Sequence, residues 1–126
     1  MVAVRAFRGL FLVCADLRRS VEFYRSLGFS LEKTTTRSAV LRLEDSLSLH
    51  LHESLSQAEQ QAFGVSWQKG STGMVLLFTC PDLEELWRSA PDVAREVAPV
   101  NTPWGDRIAI LLDPDGYRLE FRQGAS

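Results

Sequence analysis

The two histidines of this chain, His50 and His52, are the residues best suited to metal binding or proton transfer. Imidazole is the commonest metal ligand in proteins, and it changes charge near neutral pH. Residues two apart on a strand share one face, with Cβ atoms about 6.5–7 Å apart. One interpretation is that the pair chelates a divalent metal. The other is that both line a polar cavity, or that His52 lies at the solvated rim of that cavity.

Glu120 is the carboxylate best placed for chemistry, because it stands between the apolar residues Leu119 and Phe121. A carboxylate that points into a cavity can act as a general base or as a metal ligand. The alternative is an ordinary ion pair with one of three arginines nearby in the sequence: Arg107, Arg118 and Arg122. His50 and Glu120 are therefore the candidate catalytic residues.

Alternating residue types predict the strand that carries the histidines. Every second residue of the segment 47–52 is leucine, and Ser48, His50 and His52 lie between the leucines. Side chains on a strand point alternately to its two faces. We therefore expect the leucines to pack against a helix and the histidines to point the other way.

The first half of the chain reads as a strand, a helix and three further strands. Apolar residues at helical spacing predict a helix from Leu17 to Leu27, with Asp16 as its N-cap and Gly28 just beyond its end. A shorter helical turn is expected near residues 57–62. The strands are predicted over residues 10–14, 29–33, 39–44 and 47–52.

The second half repeats this order. Asp82 followed by Glu85 has capping-box spacing, so a helix begins there, and Pro91 ends it. The segment Asp113–Gly116 is typical of a type I turn. The strands are predicted over residues 74–80, 93–100, 107–112 and 117–122.

The two halves match closely enough to indicate an internal duplication. Asp16 and Asp82 are 66 residues apart, and His50 and Glu120 are 70 apart. We therefore predict an α+β fold of two tandem βαβββ modules, about residues 1–66 and 67–126, that form a single domain over residues 1–126. The helices would cover the outer sides of the sheets, and the inner faces would form a concave cavity.

Composition excludes several classes of function. The chain has 126 residues, 45% of them hydrophobic, with 14 Lys and Arg against 16 Asp and Glu. No basic excess exists to bind nucleic acid, and no apolar stretch approaches the ~20 residues that span a bilayer. Two cysteines do not make a disulfide framework. We expect a cytoplasmic protein without nucleic-acid or membrane partners.

Two pairs of segments resemble the vicinal oxygen chelate superfamily. The segments are Val13–Leu17 with Phe23–Phe29, and Thr102–Arg107 with Asp113–Phe121. This superfamily includes glyoxalase I, extradiol dioxygenases, fosfomycin-resistance transferases and bleomycin-resistance proteins. The resemblance covers nearly the whole chain and implies the glyoxalase/bleomycin resistance-like fold. It does not select among the reactions of these families.

The resemblance also implies four inward positions that hold a metal in some members, the first and third of them normally histidine. Counted from the helix starts, these positions fall on Gly9, His50, Met74 and Glu120. Glycine has no side-chain donor, and a thioether suits only soft metals. We therefore expect no cofactor and no family metal site. A divalent metal in a rearranged site of His50, His52 and Glu120 remains the alternative.

The inner wall is predicted to be largely apolar. Phe11 and Val13 are in phase with Gly9, and Leu76 and Phe78 are in phase with Met74, so all are expected to point inward. Trp104 either lies at the pocket mouth or anchors its loop, and Trp67 either lines the cavity or packs elsewhere. The predicted ligand-binding residues are Phe11, His50, His52, Trp67, Met74, Leu76, Phe78, Trp104, Arg107 and Glu120.

These observations favour a small-molecule-binding protein of the glyoxalase/bleomycin-resistance type, with an apolar or aromatic ligand and without catalysis. The alternative is a metal-dependent enzyme that uses His50 and Glu120: a glyoxalase-like lyase, a dioxygenase or a thiol transferase. A third hypothesis is a catalytically inactive protein that presents a partner-binding surface. A homodimer is expected, because the first strand of each module would otherwise be an unprotected edge.

Overall fold

The computed structural model describes residues 2–54, 56–63 and 73–124. The chain divides into two units, residues 1–67 and residues 68–126. Among the described residues, no helix has the length and apolar character that a membrane crossing requires. Trp67, one of the predicted ligand-binding residues, lies outside the described residues.

The first unit is a four-stranded sheet with a helix on one side. Its strands are ordered β1-β4-β3-β2; β1 runs parallel to β4, and the other neighbours are antiparallel. Helix α1 packs against β2, β3 and β4. The elements are β1 (Gly9–Cys14), α1 (Leu17–Ser26), β2 (Ser30–Thr34), β3 (Ser38–Arg42), β4 (Ser48–Glu53) and α2 (Gln57–Phe63).

The second unit has the same topology. Its strands are ordered β5-β8-β7-β6, with β5 parallel to β8, and helix α3 packs against β6, β7 and β8. The elements are β5 (Val75–Cys80), α3 (Leu83–Ser89), a 3₁₀ turn (Asp92–Ala94), β6 (Arg95–Asn101), β7 (Arg107–Leu112) and β8 (Arg118–Gln123). The predicted α+β fold of tandem βαβββ modules is confirmed.

Helices α1 and α3 both begin at the predicted aspartate caps. The carboxylate of Asp16 accepts a hydrogen bond from the main-chain N–H of Arg19, and that of Asp82 accepts one from the N–H of Glu85. In the first unit a second carboxylate assists, because Glu53 at the end of β4 accepts the N–H of Leu17 at 2.9 Å. These bonds satisfy donors that a helix N-terminus leaves free, and they fix where each helix leaves its sheet.

The pleat of the central strands divides each sheet into two faces. On β4, Leu49 and Leu51 are buried on the side of α1, as predicted, and His50 points to the opposite side. The same expectation is wrong for Leu47, which precedes β4 and is 43% exposed. On β8, Leu119 and Phe121 are buried, with Glu120 between them. We call the side opposite α1 the open face of the first sheet, and the side opposite α3 the open face of the second sheet.

The phase of β5 differs from the prediction. Leu76 pairs with Leu119 and Phe78 with Phe121 across parallel strands, so these side chains share the helix-facing side. Leu76 is 5% exposed, whereas Leu77 on the open face is 73% exposed. The expectation that Leu76 lines the open face is therefore wrong, whereas Phe78 shares the phase of Leu76 but still borders a cavity of the second unit.

The physical reason is that Met74 precedes β5 and does not belong to the strand. Val75 stands seven residues before Asp82, as Gly9 stands seven before Asp16. The registers agree, since Gly9 pairs with Ser48 and Val75 pairs with Arg118, 70 residues further on. Val75, rather than Met74, is the counterpart of Gly9.

We predict that Leu76→Ala lowers the free energy of unfolding by about 2–5 kcal/mol, because it removes a buried side chain and leaves a cavity. The matched change Leu77→Ala, one residue away on the open face, should cost no more than about 0.5 kcal/mol. Equilibrium denaturation in urea measures both values. Equal losses, or a larger loss for Leu77→Ala, would contradict the assigned phase of β5.

Candidate functional site

His50 occupies the centre of the open face of the first sheet. Its register partners are Phe11 on β1 and Val40 on β3, so its half-buried imidazole lies between two apolar side chains. Within the described part of the chain, the side chain of His50 makes no hydrogen bond and no ion pair. An ionisable group held between apolar neighbours in this way is available to a ligand.

Glu120 occupies the equivalent place in the second sheet. Its register partners are Leu77 on β5 and Ile110 on β7. The carboxylate is half-buried, as the imidazole of His50 is in the first unit. Each open face therefore carries an ionisable side chain near the middle of its central strand, flanked by apolar residues on both neighbouring strands.

The predicted structural alternative for Glu120, an ion pair with a nearby arginine, is wrong, because each arginine has another partner. Arg118 lies 3.6 Å from Glu96, and Arg122 lies 4.0 Å from Asp106. Arg107 pairs with Glu84 of α3. The carboxylate of Glu120 forms no hydrogen bond or ion pair among residues 2–54, 56–63 and 73–124.

Arg107 lies away from the open face on which it was expected. It shares the alternation of β7 with Ala109 and Leu111, both of which are buried on the side of α3. Its guanidinium reaches Glu84 of that helix and also donates to Asn101 at 3.3 Å. Both contacts hold Arg107 on the helix-facing side, where it supports packing.

His52 shares the open face with His50 but is engaged within the protein. Its Nε2 lies 3.4 Å from Glu59 of α2, and its Nδ1 lies 3.1 Å from the carbonyl oxygen of Glu53. The side chain is 18% exposed, and its ring lies 5.9 Å from that of Phe11. His52 thus connects β4 to α2.

Glu59 is the centre of that connection. It forms a reciprocal capping box with Ser56, and Arg37 donates to it at 3.2 Å. The hydrogen bonds from Ser56, more than the charge of Arg37, hold the pKa of Glu59 below its usual value of 4.5. The ionised carboxylate is the form that fits the fold.

A cavity of about 490 Å³ lies beside His50 in the first unit. Arg42 in its wall donates to Ser48 Oγ at 2.8 Å and to Glu32 at 3.0 Å, so its charge is compensated. The polar and charged residues of the wall include Arg8, Glu32, Arg42, Asp45, Ser48 and His50.

A smaller cavity of about 210 Å³ lies beside Glu120 in the second unit. Trp104 contributes to its wall and is 73% exposed, so the loop-anchor interpretation of this residue is wrong. Phe78 also borders the cavity, although its ring stacks on that of buried Phe121. The wall of this cavity also includes Leu77, Asp106, Ile108 and Arg122.

The residues at the four implied metal positions do not form a ligand set. With the corrected phase, these positions are Gly9, His50, Val75 and Glu120, of which two carry donors. A Cβ atom placed on Gly9 would overlap the main-chain carbonyl oxygen of Ser48. The described residues contain no group of three or more His, Cys, Asp or Glu that could hold a metal ion.

Sequence reasoning missed Val40, Leu77 and Ile110, the apolar neighbours of the two ionisable groups. The signal was available for Leu77, because equal spacing from Asp16 and Asp82 aligns it with Phe11. Val40 and Ile110 depend on which residues pair across antiparallel strands. That register follows from the turns and from burial, and the residue types alone do not give it.

One family model matches nearly the whole chain. It describes the Glyoxalase/Bleomycin resistance protein/Dioxygenase superfamily and matches residues 6–121. The comparison with curated proteins found no match.

Several solved structures share the fold. A protein of unknown function from Agrobacterium tumefaciens is 24% identical, with a TM-score of 0.77 over 98% of this chain and 97% of its own. A glyoxalase/bleomycin resistance protein/dioxygenase from Nocardioides is 23% identical, with a TM-score of 0.72 over 100% and 87%. A bleomycin-binding protein in complex with bleomycin is 22% identical, with a TM-score of 0.62 over 96% and 99%.

We predict a pH-dependent role for Glu59. Because its pKa is lowered in the folded state, the ionised carboxylate stabilises the fold above the unfolded value of about 4.5, and this contribution is lost as the pH falls through the folded value. Glu59→Gln keeps the capping geometry without the charge. Its melting temperature should lie below that of the wild type near pH 7, and the difference should shrink towards pH 3.

The control for that comparison is Glu22→Gln, which removes a carboxylate from an exposed pair with Arg18 on α1. Such pairs contribute little, so its melting temperature should follow the wild type near neutral pH. Thermal melts monitored by circular dichroism at several pH values give the melting temperatures of the wild type and of both variants. A Glu59→Gln difference that stays constant with pH would contradict the assigned role.

Proposed function

We propose, from the premise that this chain belongs to the Glyoxalase/Bleomycin resistance protein/Dioxygenase superfamily, that it binds a small organic molecule at the open faces carrying His50 and Glu120. The observation that supports this most is that both groups are half-buried between apolar neighbours and lack a partner within the described residues. Burying a polar group without a partner costs about 1–3 kcal/mol. A ligand group that completes the hydrogen bonding offsets this cost.

The neighbours of the two groups indicate the character of the ligand. Phe11 and Val40 flank His50, and Leu77 and Ile110 flank Glu120. Binding sites for small molecules are mostly apolar, with a few polar groups that fix orientation. We therefore propose an apolar or aromatic ligand body, oriented by the imidazole where it binds the first open face and by the carboxylate where it binds the second.

A related structure supports this kind of function. The similar bleomycin-binding protein, at 22% identity, was solved in complex with bleomycin. That observation belongs to the other protein, but it is consistent with a fold of this kind that sequesters a drug-like compound. We propose the same class of activity for this chain, binding without catalysis.

The rival function is a metal-dependent reaction, as a glyoxalase-like lyase, a dioxygenase or a thiol transferase that uses His50 and Glu120. Catalytic metal sites normally have three protein ligands and one open position. Gly9 and Val75 supply no donor at the other two positions, and His52 is engaged with Glu59. This donor set does not fit the metal, so binding is the function we favour.

The homodimer and the cytoplasmic location expected from the sequence remain proposals. Sedimentation velocity at micromolar concentration tests the first, and a monomer would contradict it. Fractionation of the source cells tests the second.

We predict that Glu120→Gln and His50→Ala leave the melting temperature nearly unchanged but weaken ligand binding by about fivefold or more, as expected for the loss of one hydrogen bond worth about 1 kcal/mol. The probes are a panel of neutral and charged aromatic compounds that includes bleomycin, titrated by calorimetry.

Two variants serve as controls for this experiment. Glu96→Gln removes a carboxylate from the same sheet and should bind as the wild type does, since Glu96 pairs with Arg118. Leu49→Ala should melt early, because it removes a buried side chain. If both polar variants melted early and bound every ligand normally, His50 and Glu120 would be structural residues.

We also predict that the purified protein carries no stoichiometric divalent metal. The physical reason is the absence of side-chain donors at Gly9 and Val75. Elemental analysis after extensive dialysis, without chelator, measures the metal content. About one Zn, Fe, Mn or Ni per chain would support the metal-dependent alternative instead.

A further inference from the structure

We infer that the cavity beside Glu120 selects an organic cation: a protonated amine or a quaternary ammonium group carried on an apolar body. The inference rests on the proposed small-molecule binding and specifies the charge of the ligand. It depends on the second unit alone and on three features of the cavity: its net charge, an exposed indole and its apolar wall.

The charged residues in the wall leave one negative charge uncompensated. They are Asp106, Glu120 and Arg122, two carboxylates against one guanidinium. Arg122 lies 4.0 Å from Asp106, so these two charges balance each other. Glu120 remains without a described partner, and a cation on the ligand is the group that completes it.

Trp104 adds a second feature that favours a cation. Its indole is 73% exposed at the edge of the cavity, and the face of an indole attracts ammonium groups through its negative electrostatic potential. The alternative is that Trp104 only packs against its neighbours, and this role requires a burial that the residue lacks.

Internal hydrogen bonds fix the conformation of the loop that carries Trp104. The N–H of Thr102 donates to the carbonyl oxygen of Asp106 at 2.7 Å, and the N–H of Asp106 donates to Thr102 Oγ1 at 3.1 Å. Gly105 supplies the positive φ, 99°, that the turn requires. Because this loop is preorganised, binding does not have to order it.

The apolar wall strengthens the electrostatic attraction. Leu77 on β5 and Ile108 on β7 border the cavity from the two strands that flank β8. A ligand that covers these side chains excludes water from the carboxylate, and charge pairs are stronger where water is excluded. The volume of about 210 Å³ is below the usual range for a whole drug-sized ligand, so we assign it to the cationic head group.

Other ligand charges fit this cavity less well. An anion would face Glu120 and find only Arg122, whose charge Asp106 already balances. The cavity of the first unit gives no such preference, because its wall contains Arg8 and Arg42 against Glu32 and Asp45, together with His50. Selection for a cation is thus a property of the second open face.

A pair of matched probes tests the inference: 2-phenylethylamine, which is protonated at neutral pH, and the neutral 2-phenylethanol. Titrations of the full chain are followed by ¹H–¹⁵N NMR, with the amides of β5 and β8 as reporters. We expect the protein to bind the amine about fivefold more tightly than the alcohol. Added salt should weaken the binding of the amine and leave the binding of the alcohol unchanged.

Three variants assign the preference to residues. The Glu120→Gln protein should bind the amine no more tightly than the alcohol. The Trp104→Leu protein should keep only part of the preference for the amine. Glu96→Gln removes the same charge outside the cavity and should keep the full preference. The salt dependence of the wild type tests, without any variant, whether charge contributes to the preference.

Equal affinity of the two probes for the wild type would overturn selection for a cation and leave small-molecule binding intact. A preference that persists in Glu120→Gln would overturn the role of this carboxylate. Failure of both probes to saturate the reporters, while other compounds of the panel bind, would also overturn the inference. Failure of every compound to bind would refute the proposed function itself.

Discussion

The two-residue period of the β-strand governs the chemistry of this protein. On β4, burying Leu49 and Leu51 under α1 forces His50 to the other side, and burying Leu119 and Phe121 on β8 does the same to Glu120. A one-residue slip would exchange the faces and bury an ionisable group under a helix. The hydrophobic core and the exposure of the candidate site are therefore set by one constraint.

Charge pairing decides which of the polar residues remains available. Arg118 and Arg122, which flank Glu120 on the same strand, each face another carboxylate, and Arg107 is held by α3. In the first unit Glu59 engages His52 and leaves His50 without a described partner. The open faces thus carry many charges, but one ionisable group on each central strand is left for a ligand.

Close packing of the main chain limits the chemistry further. At Gly9, β1 approaches β4 so closely that a side chain would overlap the carbonyl oxygen of Ser48. The first of the metal positions implied by the resemblance therefore has no room for a side-chain ligand with this backbone. Val75, its counterpart, is an aliphatic residue on the same kind of open face. Both positions favour apolar contact over metal coordination.

The sequence by itself determined the repeated βαβββ order, the caps at Asp16 and Asp82, and the orientation of His50 and Glu120 away from the helices. Local periodicity and capping chemistry encode these features. The apolar run 74–80 has no alternation from which a face can be chosen, so the phase of β5 is available from the sequence only through its spacing from Asp82, compared with that of β1 from Asp16. Only the tertiary structure decided that Arg107, Arg118 and Arg122 pair with other carboxylates, so that Glu120 has no partner among the described residues. It also decided that Trp104 is exposed. Those features depend on contacts between residues far apart in the chain, which residue spacing does not fix.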